Sequence, residues 1–331
     1  MSAPAGLQVD YRSLNGPQEA RDGVLGVVTF RDPPEALRNT DIPVAQVATP
    51  VLDGDDSICE IWEATGPVES GRKGPVRYRR DEQILFGCAA VPETVTLHAA
   101  TELAYREIYS TLDALGYGHL VRVWNYLPEI NETAAGMERY WQFNKARRAA
   151  LVACGRDVTG NVPAACALGA SSGSPLVVYF LASRSAPVAI ENPRQVSAYN
   201  YPPQYGPRPV FARASLLRES KIQPVSMLFI SGTASIVGHE TRHVGDPGAQ
   251  AREALVNIEA LLDEANRIGG GARFAIGDLA YKVYVRHSLD LSEISAEVGM
   301  VVAGAKVVYL RADICRQDLL VEIEAAGRPQ P

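Results

Sequence analysis

Apolar residues recur at helical spacing along 95–117, VTLHAATELAYREIYSTLDALGY, through Leu97, Leu103, Ala104, Ile108, Leu112 and Leu115, and the run stops at Gly116 and Gly118. This pattern predicts one long amphipathic helix. The flanking stretches EQILFGCAAV (82–91) and HLVRVWNYLPEIN (119–131) are apolar, rich in β-formers and bounded by turn residues, so each predicts a strand. The same order returns about 150 residues later. SMLFISGTASIVG (226–238) predicts a strand with its loop, AQAREALVNIEALLDEANRIGG (249–270) a helix, and DLAYKVYVRHSLD (278–290) the return strand. GMERYWQFNKARRAALVACG (136–155) and SLDLSEISAEVGMVVAG (288–304) each continue as a second helix. PAACALGAS (163–171) and PLVVYFLAS (175–183) then match AKVVYLRAD (305–313) and LLVEIEA as closing strand pairs.

The pattern therefore predicts an α+β chain holding two degenerate β-α-β-α-β-β units, over roughly 81–185 and 226–326, with an internal interface between them. Between the copies, 190–217 holds five of the chain's 22 prolines and three tyrosines, more aromatic than a plain linker and of the kind that binds something. The expected division is an N-terminal unit at 1–185, a proline- and tyrosine-rich segment at 186–225, and a C-terminal unit at 226–331. Short strands in DGVLGVVTF, IPVAQVATPVL and SICEIWEATG are expected to complete or extend the first unit's sheet.

The closing LLVEIEA raises a chemical question. With a side-chain period of two, Val321 and Ile323 face one way and Glu322 and Glu324 the other. That second face is either a solvated surface, the usual place for acids, or one wall of a cleft.

Composition narrows the setting. With 47% hydrophobic residues in 331, the chain can bury a sizeable core, and its net charge of −6 forms no block that would draw nucleic acid or membrane. A small-molecule ligand is the default expectation. Cys59, Cys88, Cys154, Cys166 and Cys315 are odd in number and never spaced C-x-x-C, against both a disulfide framework and a zinc site. The start, MSAPAGLQVDYRSLNG, has no basic stretch ahead of an apolar run, and no segment approaches the length of a membrane span. A cytoplasmic protein is expected. A chain carrying its own inter-unit interface has less need of partners, so a monomer is expected too.

His239 and His243 in GHETRH stand at i and i+4 and would suit a metal on a helix, but Gly238 and the following GDPG argue for a loop, and no third ligand is evident. IGGGAR (268–273) lies between helix and strand and lacks the dinucleotide fingerprint. No metal and no cofactor is expected.

SGTASIVG, QAREALVNIEALLDEA and VEIEA, in that order and spacing, resemble the YjgF/Rid superfamily of small trimeric, chorismate-mutase-like folds with clefts between subunits. The resemblance implies mixed sheets packed on helices and a pseudo-trimer-like architecture. Over nearly the whole chain, VRVWNYLPEINE, ERYWQFNKAR, YNYPPQYGPRPVFARAS, FISGTASIVGHETRHVGD and YLRADICRQDLLVEIEA together resemble the chorismatase family. That likeness implies chorismate as substrate and pyruvate as a product. It places Arg147 and Arg213 at the substrate's carboxylates, where planar guanidinium groups bind in bidentate fashion. It places Tyr140 and Tyr205 beside them. On the residues alone, Arg147 with Arg148 would equally suit a solvated helix face, and Tyr205 ordinary loop packing. Glu322 matches the family's catalytic glutamate, and its chemistry fits: cleaving an enol ether requires protonating the terminal methylene, which takes a carboxylic acid whose pKa is raised by burial or a like charge. The first copy has Tyr179 at the corresponding place, so only the second copy is expected to be competent. Glu324 is expected to be a polar or hydrogen-bonding residue, milder in effect when replaced by Gln.

The family divides by product. Gly232 with Cys315 resembles the members that yield 3-hydroxybenzoate; those that hydrolyse chorismate to trans-3,4-dihydroxycyclohexa-1,5-diene carboxylate tend to carry alanine at the glycine position. Gly232 could instead serve a tight turn, and Cys315 could be buried filler. A reading of another class is a Rid-like imine deaminase or metabolite-binding protein.

Overall fold

The computed structural model describes residues 6–14, 23–38, 40–94, 96–218 and 227–330. The first residues of the N-terminal stretch, the end of the proline-rich segment at 219–225 and the start of the second unit at 226 lie outside the described residues.

The N-terminal elements are β1 (Gln8–Ser13), β2 (Val24–Thr29), a single turn α1 (Glu35–Arg38), β3 (Val44–Gln46) and β4 (Ile58–Glu63). They form a sheet of their own, in the order β1-β4-β2-β3, and this corrects the expectation that they extend the first unit's sheet. That extension comes instead from the hairpin β5 (Glu69–Lys73) and β6 (Val76–Arg80), whose β6 pairs with β7 (Ile84–Val91). VESGRKGPVRYRR is too polar to stand out as strand by hydrophobicity, and its pairing is decided by the free edge of β7.

The first unit continues with α2 (Leu97–Leu115), β8 (His119–Pro128), the small hairpin β9 (Thr133–Ala134) and β10 (Met137–Glu138), α3 (Arg139–Ala153), β11 (Ala164–Ala170) and β12 (Leu176–Ser183). Thr96 caps α2 by accepting from the Ala99 amide, and Gly116 ends it in the left-handed conformation at φ 75°. One expected core position fails: Leu103 is exposed, and the buried stripe runs instead through Thr101, Ala104, Tyr105 and Ile108. Tyr105 brings a hydroxyl to the inner face of α2 that the apolar pattern did not flag.

After β13 (Val188–Ile190) and β14 (Ala214–Leu217), the second unit runs β15 (Met227–Ala234), the hairpin β16 (Ile236–Val237) and β17 (Glu240–Thr241), α4 (Pro247–Ile268), β18 (Ala280–Val285), α5 (Leu291–Val301), β19 (Val307–Arg311) and β20 (Val321–Gly327). The first unit's sheet contains the order β11-β8-β12-β7 and the second β19-β18-β20-β15. In both, the first-named pair is parallel and the others antiparallel. Identical connectivity, order and strand sense establish the two α+β units that the sequence pattern predicts. β13 and β14, from the ends of the proline-rich segment, add to the second sheet beside β15.

Helices cover one face of each large sheet, with Leu85, Val123 and Phe180 packing toward α2 and α3, and Val283, Val321 and Ile323 toward α4 and α5. The other faces meet the N-terminal sheet in a common core that holds Trp62, Trp124, Tyr179, Phe229 and Tyr284. β12 is buried along its whole length because it is covered on both sides. β20 occupies the same layer, so its acid-bearing face points into the interior: Glu322 is 4% and Glu324 3% exposed. The solvated-face reading of LLVEIEA fails, since it treated the sheet as covered on one side only.

Candidate active site

A cavity of about 350 Å³ opens where the two units and the proline-rich segment meet. Seven residues singled out in the sequence line it together: Glu322, Cys315 and Gly232 from the second unit, Tyr140 and Arg147 from the first, and Tyr205 and Arg213 from the segment between. β11 joins the second unit here through side chains rather than a continuous ladder: the Ala164 amide donates to Ser215 Oγ at 3.1 Å and the Ala165 amide to Ser231 Oγ at 2.9 Å. The gap this junction leaves, roofed by α3, is the cavity.

α3 presents Tyr140 and Arg147 on its inner face, both buried. Arg147 donates from Nε to Tyr105 Oη at 2.7 Å and from Nη1 to the Val210 carbonyl, and its guanidinium sits 5.0 Å from the Tyr105 ring centre. Tyr105 in turn donates to Asn125 Oδ1 at 2.6 Å. A solvated helix face is thereby excluded for Arg147. Arg213 donates from Nη2 to the Val196 carbonyl at 2.8 Å and to Tyr201 Oη at 2.7 Å. Among the described residues neither arginine forms an ion pair, although Arg213 acts on the nearby carboxyls of Glu191 and Glu322, and Arg147 Nη2 and Arg213 Nε are buried without a hydrogen-bond partner. Buried cations held by carbonyls, phenols and ring faces alone leave their charge for an anion from outside.

Glu322 is the complementary group. No hydrogen bond from a described residue reaches its carboxyl, and burial together with the nearby charge of Glu324 pushes it up to about 8, against the opposing fields of Arg122, Arg213 and Arg286. Glu324, one pleat along, is the opposite case. It accepts from Arg122 Nη2 at 2.5 Å, Lys282 Nζ at 2.7 Å, Trp124 Nε1 at 2.9 Å and Tyr284 Oη at 3.2 Å. Burial alone would raise it, but Lys282 and Arg122 outweigh burial and hold it below the ordinary carboxylate range. Lys282 also pairs with Glu60 at 2.5 Å and donates to Tyr179 Oη at 2.6 Å. Tyr179 thus belongs to this closed ionic cluster and not to the cavity lining.

Gly232 is not a turn glycine. It lies in β15 at a bulge, where the register with β20 shifts between Ile230 and Thr233. A Cβ there would stand 1.8 Å from Glu322 Oε1 and 3.1 Å from Cys166 Cβ. The missing side chain is the space in which the acid sits. Cys315 lies at the same end, its thiol pushed up to about 12 by burial and by Glu322, so it is a neutral S–H rather than a thiolate.

The proline-rich segment closes the cavity's outer side. Gly206 (φ 77°) packs against the Trp141 ring, 2.4 Å from where a Cβ would be, so no other residue permits that approach. Tyr205 is within 3.3 Å of His239 Nδ1. His239 sits in the turn of the β16–β17 hairpin, whereas His243 pairs with Glu253 at 3.2 Å, so the two histidines diverge; among the described residues no group of three or more His, Cys, Asp or Glu could hold a metal. The reading of the sequence missed Tyr201, Tyr105 and Arg316. Tyr201 and Arg316 lie within segments already singled out, and their signal would have been a polar or aromatic side chain next to a candidate in a loop facing the cleft.

Residues 60–182 match the family model described as Chorismatase FkbO/Hyg5-like, N-terminal. A chorismatase of Streptomyces rapamycinicus is 43% identical over 82% of this chain and 82% of its own. A 3-hydroxybenzoate synthase of Streptomyces hygroscopicus is 41% identical over 81% of each. A crystal structure of a chorismatase superposes with a TM-score of 0.87 at 35% identity, covering 98% of this chain and 100% of that one.

Proposed function

The chain belongs to the chorismatase family, and on that premise we propose that it converts chorismate to 3-hydroxybenzoate and pyruvate, with Glu322 as the acid that protonates the enolpyruvyl methylene. The observation that carries this is a buried carboxyl that accepts no hydrogen bond from a described residue, raised to about 8, facing a cavity whose arginines form no ion pair among the described residues. Near neutral pH such a carboxyl holds its proton, and the cavity's free positive charge suits a dianion. Proton transfer turns the methylene into a methyl and leaves an oxocarbenium ion. 3-Hydroxybenzoic acid and pyruvic acid together hold all the atoms of chorismic acid, so their formation consumes no net water, whereas the diol product requires one; in this reading an oxygen of the substrate itself captures the cation. Incubating the protein with chorismate and following pyruvate tests the reading. No release would overturn it in favour of an imine deaminase or a metabolite-binding protein.

Arg147 and Arg213 take the two carboxylates in this reading, with Tyr140 and Tyr205 beside them. Arg147→Ala or Arg213→Ala is expected to weaken chorismate binding by about 2–5 kcal/mol, the range for truncating one partner of a buried charge pair. Lysine restores only part of it, because an ammonium cannot present the planar fork. Calorimetry showing wild-type affinity in both alanine variants would place the clamps elsewhere.

The product is decided at Gly232 and Cys315. Any side chain at 232 displaces the Glu322 carboxyl, because the acid's Oε1 occupies the Cβ position. Gly232→Ala is therefore expected to re-aim the acid and loosen the substrate's fit, shifting product toward the diol or lowering the aromatic yield while pyruvate is still released. Cys315→Ala or Cys315→Ser is expected to act in the same direction. Chromatography of the products checks this, and a wild type that makes only diol would refute the 3-hydroxybenzoate assignment while leaving chorismate cleavage intact.

The division into units at 1–185 and 226–331 with an active-site segment at 186–225 belongs to the same reading, supported by a cavity that draws its lining from all three. Since one chain supplies that whole lining, the reading is of a monomer acting on a small molecule, with neither nucleic acid nor membrane as partner, in the cytoplasm. No helix among the described residues is long and apolar enough to cross a membrane.

A further inference from the structure

The cavity holds a third arginine built like the two substrate clamps. Arg316, next to Cys315, is pinned through Nη1, which donates to the His239 carbonyl at 2.9 Å and lies 3.3 Å from Thr241 Oγ1. Its guanidinium lies 4.1 Å from the centre of the Tyr205 ring and 5.2 Å from that of Tyr201. Its Nη2 is buried without a partner among the described residues, as are Arg147 Nη2 and Arg213 Nε. All three therefore share one plan: a backbone carbonyl and an aromatic face fix the guanidinium, and one nitrogen is left over. A buried N–H without an acceptor is unfavourable unless a ligand supplies one.

The three arginines divide by the aromatic rings they pack on. Arg213 and Arg316 are both packed against Tyr201, at 5.6 and 5.2 Å from its ring centre, whereas Arg147 packs on Tyr105. Tyr201 thus contacts both Arg213 and Arg316, while Arg147 packs on a different ring. Cys315 ties Arg213 and Arg316 to the acid, since its thiol feels Glu322, Arg316 and Arg213. In an enolpyruvyl ether the carbon that receives the proton is two bonds from the side-chain carboxylate carbon, so a substrate poised at Glu322 must place that carboxylate close to the acid.

We propose that Arg316 is a substrate-binding residue that, together with Arg213, holds the enolpyruvyl carboxylate, while Arg147 alone holds the ring carboxylate. This rests on the reading of the cavity as a chorismate site. Pairing two cations on the reacting side chain serves positioning, because that carboxylate carbon is only two bonds from the methylene carbon that must meet the acid. It also leaves a cationic site for pyruvate after cleavage, near the outer side where Gln204 and Gln317 are exposed.

The test measures binding in a Glu322→Gln background, where turnover does not interfere, with and without Arg316→Gln, which keeps a donor for the His239 carbonyl and removes the charge. Calorimetry is run with chorismate, pyruvate and 3-hydroxybenzoate. Chorismate and pyruvate are expected to bind about ten- to a hundredfold more weakly, the range for losing one charge-assisted hydrogen bond. 3-Hydroxybenzoate, which carries only the ring carboxylate, is expected to bind within about twofold of the parent, and Arg316→Lys to recover part of the chorismate loss. Unchanged chorismate affinity overturns the proposal. So does an equal loss for all three ligands, which would mean that Arg316 acts by shaping the loop. If the wild type released no pyruvate while the Glu322→Gln protein still bound chorismate selectively through Arg316, the catalytic reading would fail and this assignment would stand.

Discussion

Replacing Glu322 by glutamine is expected to remove turnover, lowering kcat by about 10²–10⁴-fold, the usual contribution of a positioned general acid, while chorismate binding is retained. The amide keeps the shape of the carboxyl and cannot deliver its proton, and the arginines that hold the substrate are untouched. Near-wild-type kcat in this variant would refute the acid assignment. The same group sets the pH profile. Because the carboxyl must be protonated to act and is pushed up to about 8, kcat/KM in the wild type is expected to be level near neutrality and to fall as pH rises through about 8. Stability follows the same sign. The folded pKa lies above the ordinary 4.5, so the protein is unpenalised by Glu322 below about 4.5 and loses stability progressively as pH rises toward 8. Glu322→Gln is therefore expected to unfold at higher temperature than the wild type at alkaline pH, which separates lost chemistry from lost structure. A profile with no alkaline decline would remove the basis for a raised carboxyl.

Glu324→Gln is expected to cost about 3–5 kcal/mol of stability, the range for removing one partner from a buried ion pair. The sequence pattern alone makes this the milder of the two glutamate replacements, and for catalysis it remains the less direct one. The structure reverses the order for stability. Lys282 and Arg122, both no more than 2% exposed, share the charge of Glu324, and without it Glu60 is, among the described residues, the one carboxylate still ion-paired in the cluster to balance two buried cations. The stabilisation is present above the ordinary carboxylate range and is lost as pH falls through the lowered pKa of Glu324. The variant should also move the acid at 322, since a negative charge that raises its pKa is gone while Arg122 remains. In whatever fraction folds, the alkaline limb of the rate profile is expected at lower pH. Urea denaturation and pH-rate profiles measure the two effects, and a denaturation midpoint equal to that of the wild type would show that the cluster contributes nothing net.

The two neighbouring carboxyls illustrate how far sequence reading reaches. Alternation in LLVEIEA places both on one face of a strand, because the period of a strand is a local property of the chain. Whether that face meets water, a cavity or a counter-ion is settled by what packs there, and the packing comes from Glu60, Arg122 and Lys282, which lie 40 to 264 positions away along the chain. Among the described residues one glutamate consequently meets four donors and the other none.

The sequence by itself determined the two repeated units, their strand and helix order and the glycine stop of α2, and it singled out Glu322, Arg147, Arg213, Tyr140, Tyr205, Gly232 and Cys315, which line one cavity, since periodicity, turn residues and motif resemblance are all written in short windows. Only the tertiary structure decided that the N-terminal strands form a separate third sheet, that Leu103 faces solvent while Tyr105 supports Arg147, and that Gly232 is small to make room for a carboxylate rather than to turn the chain. Those outcomes depend on which edges and faces are free when the sheets come together. Side-chain contacts between residues scores of positions apart leave no mark in local hydrophobicity, and it is such contacts that hold one buried carboxyl above the ordinary carboxylate range and its neighbour below it.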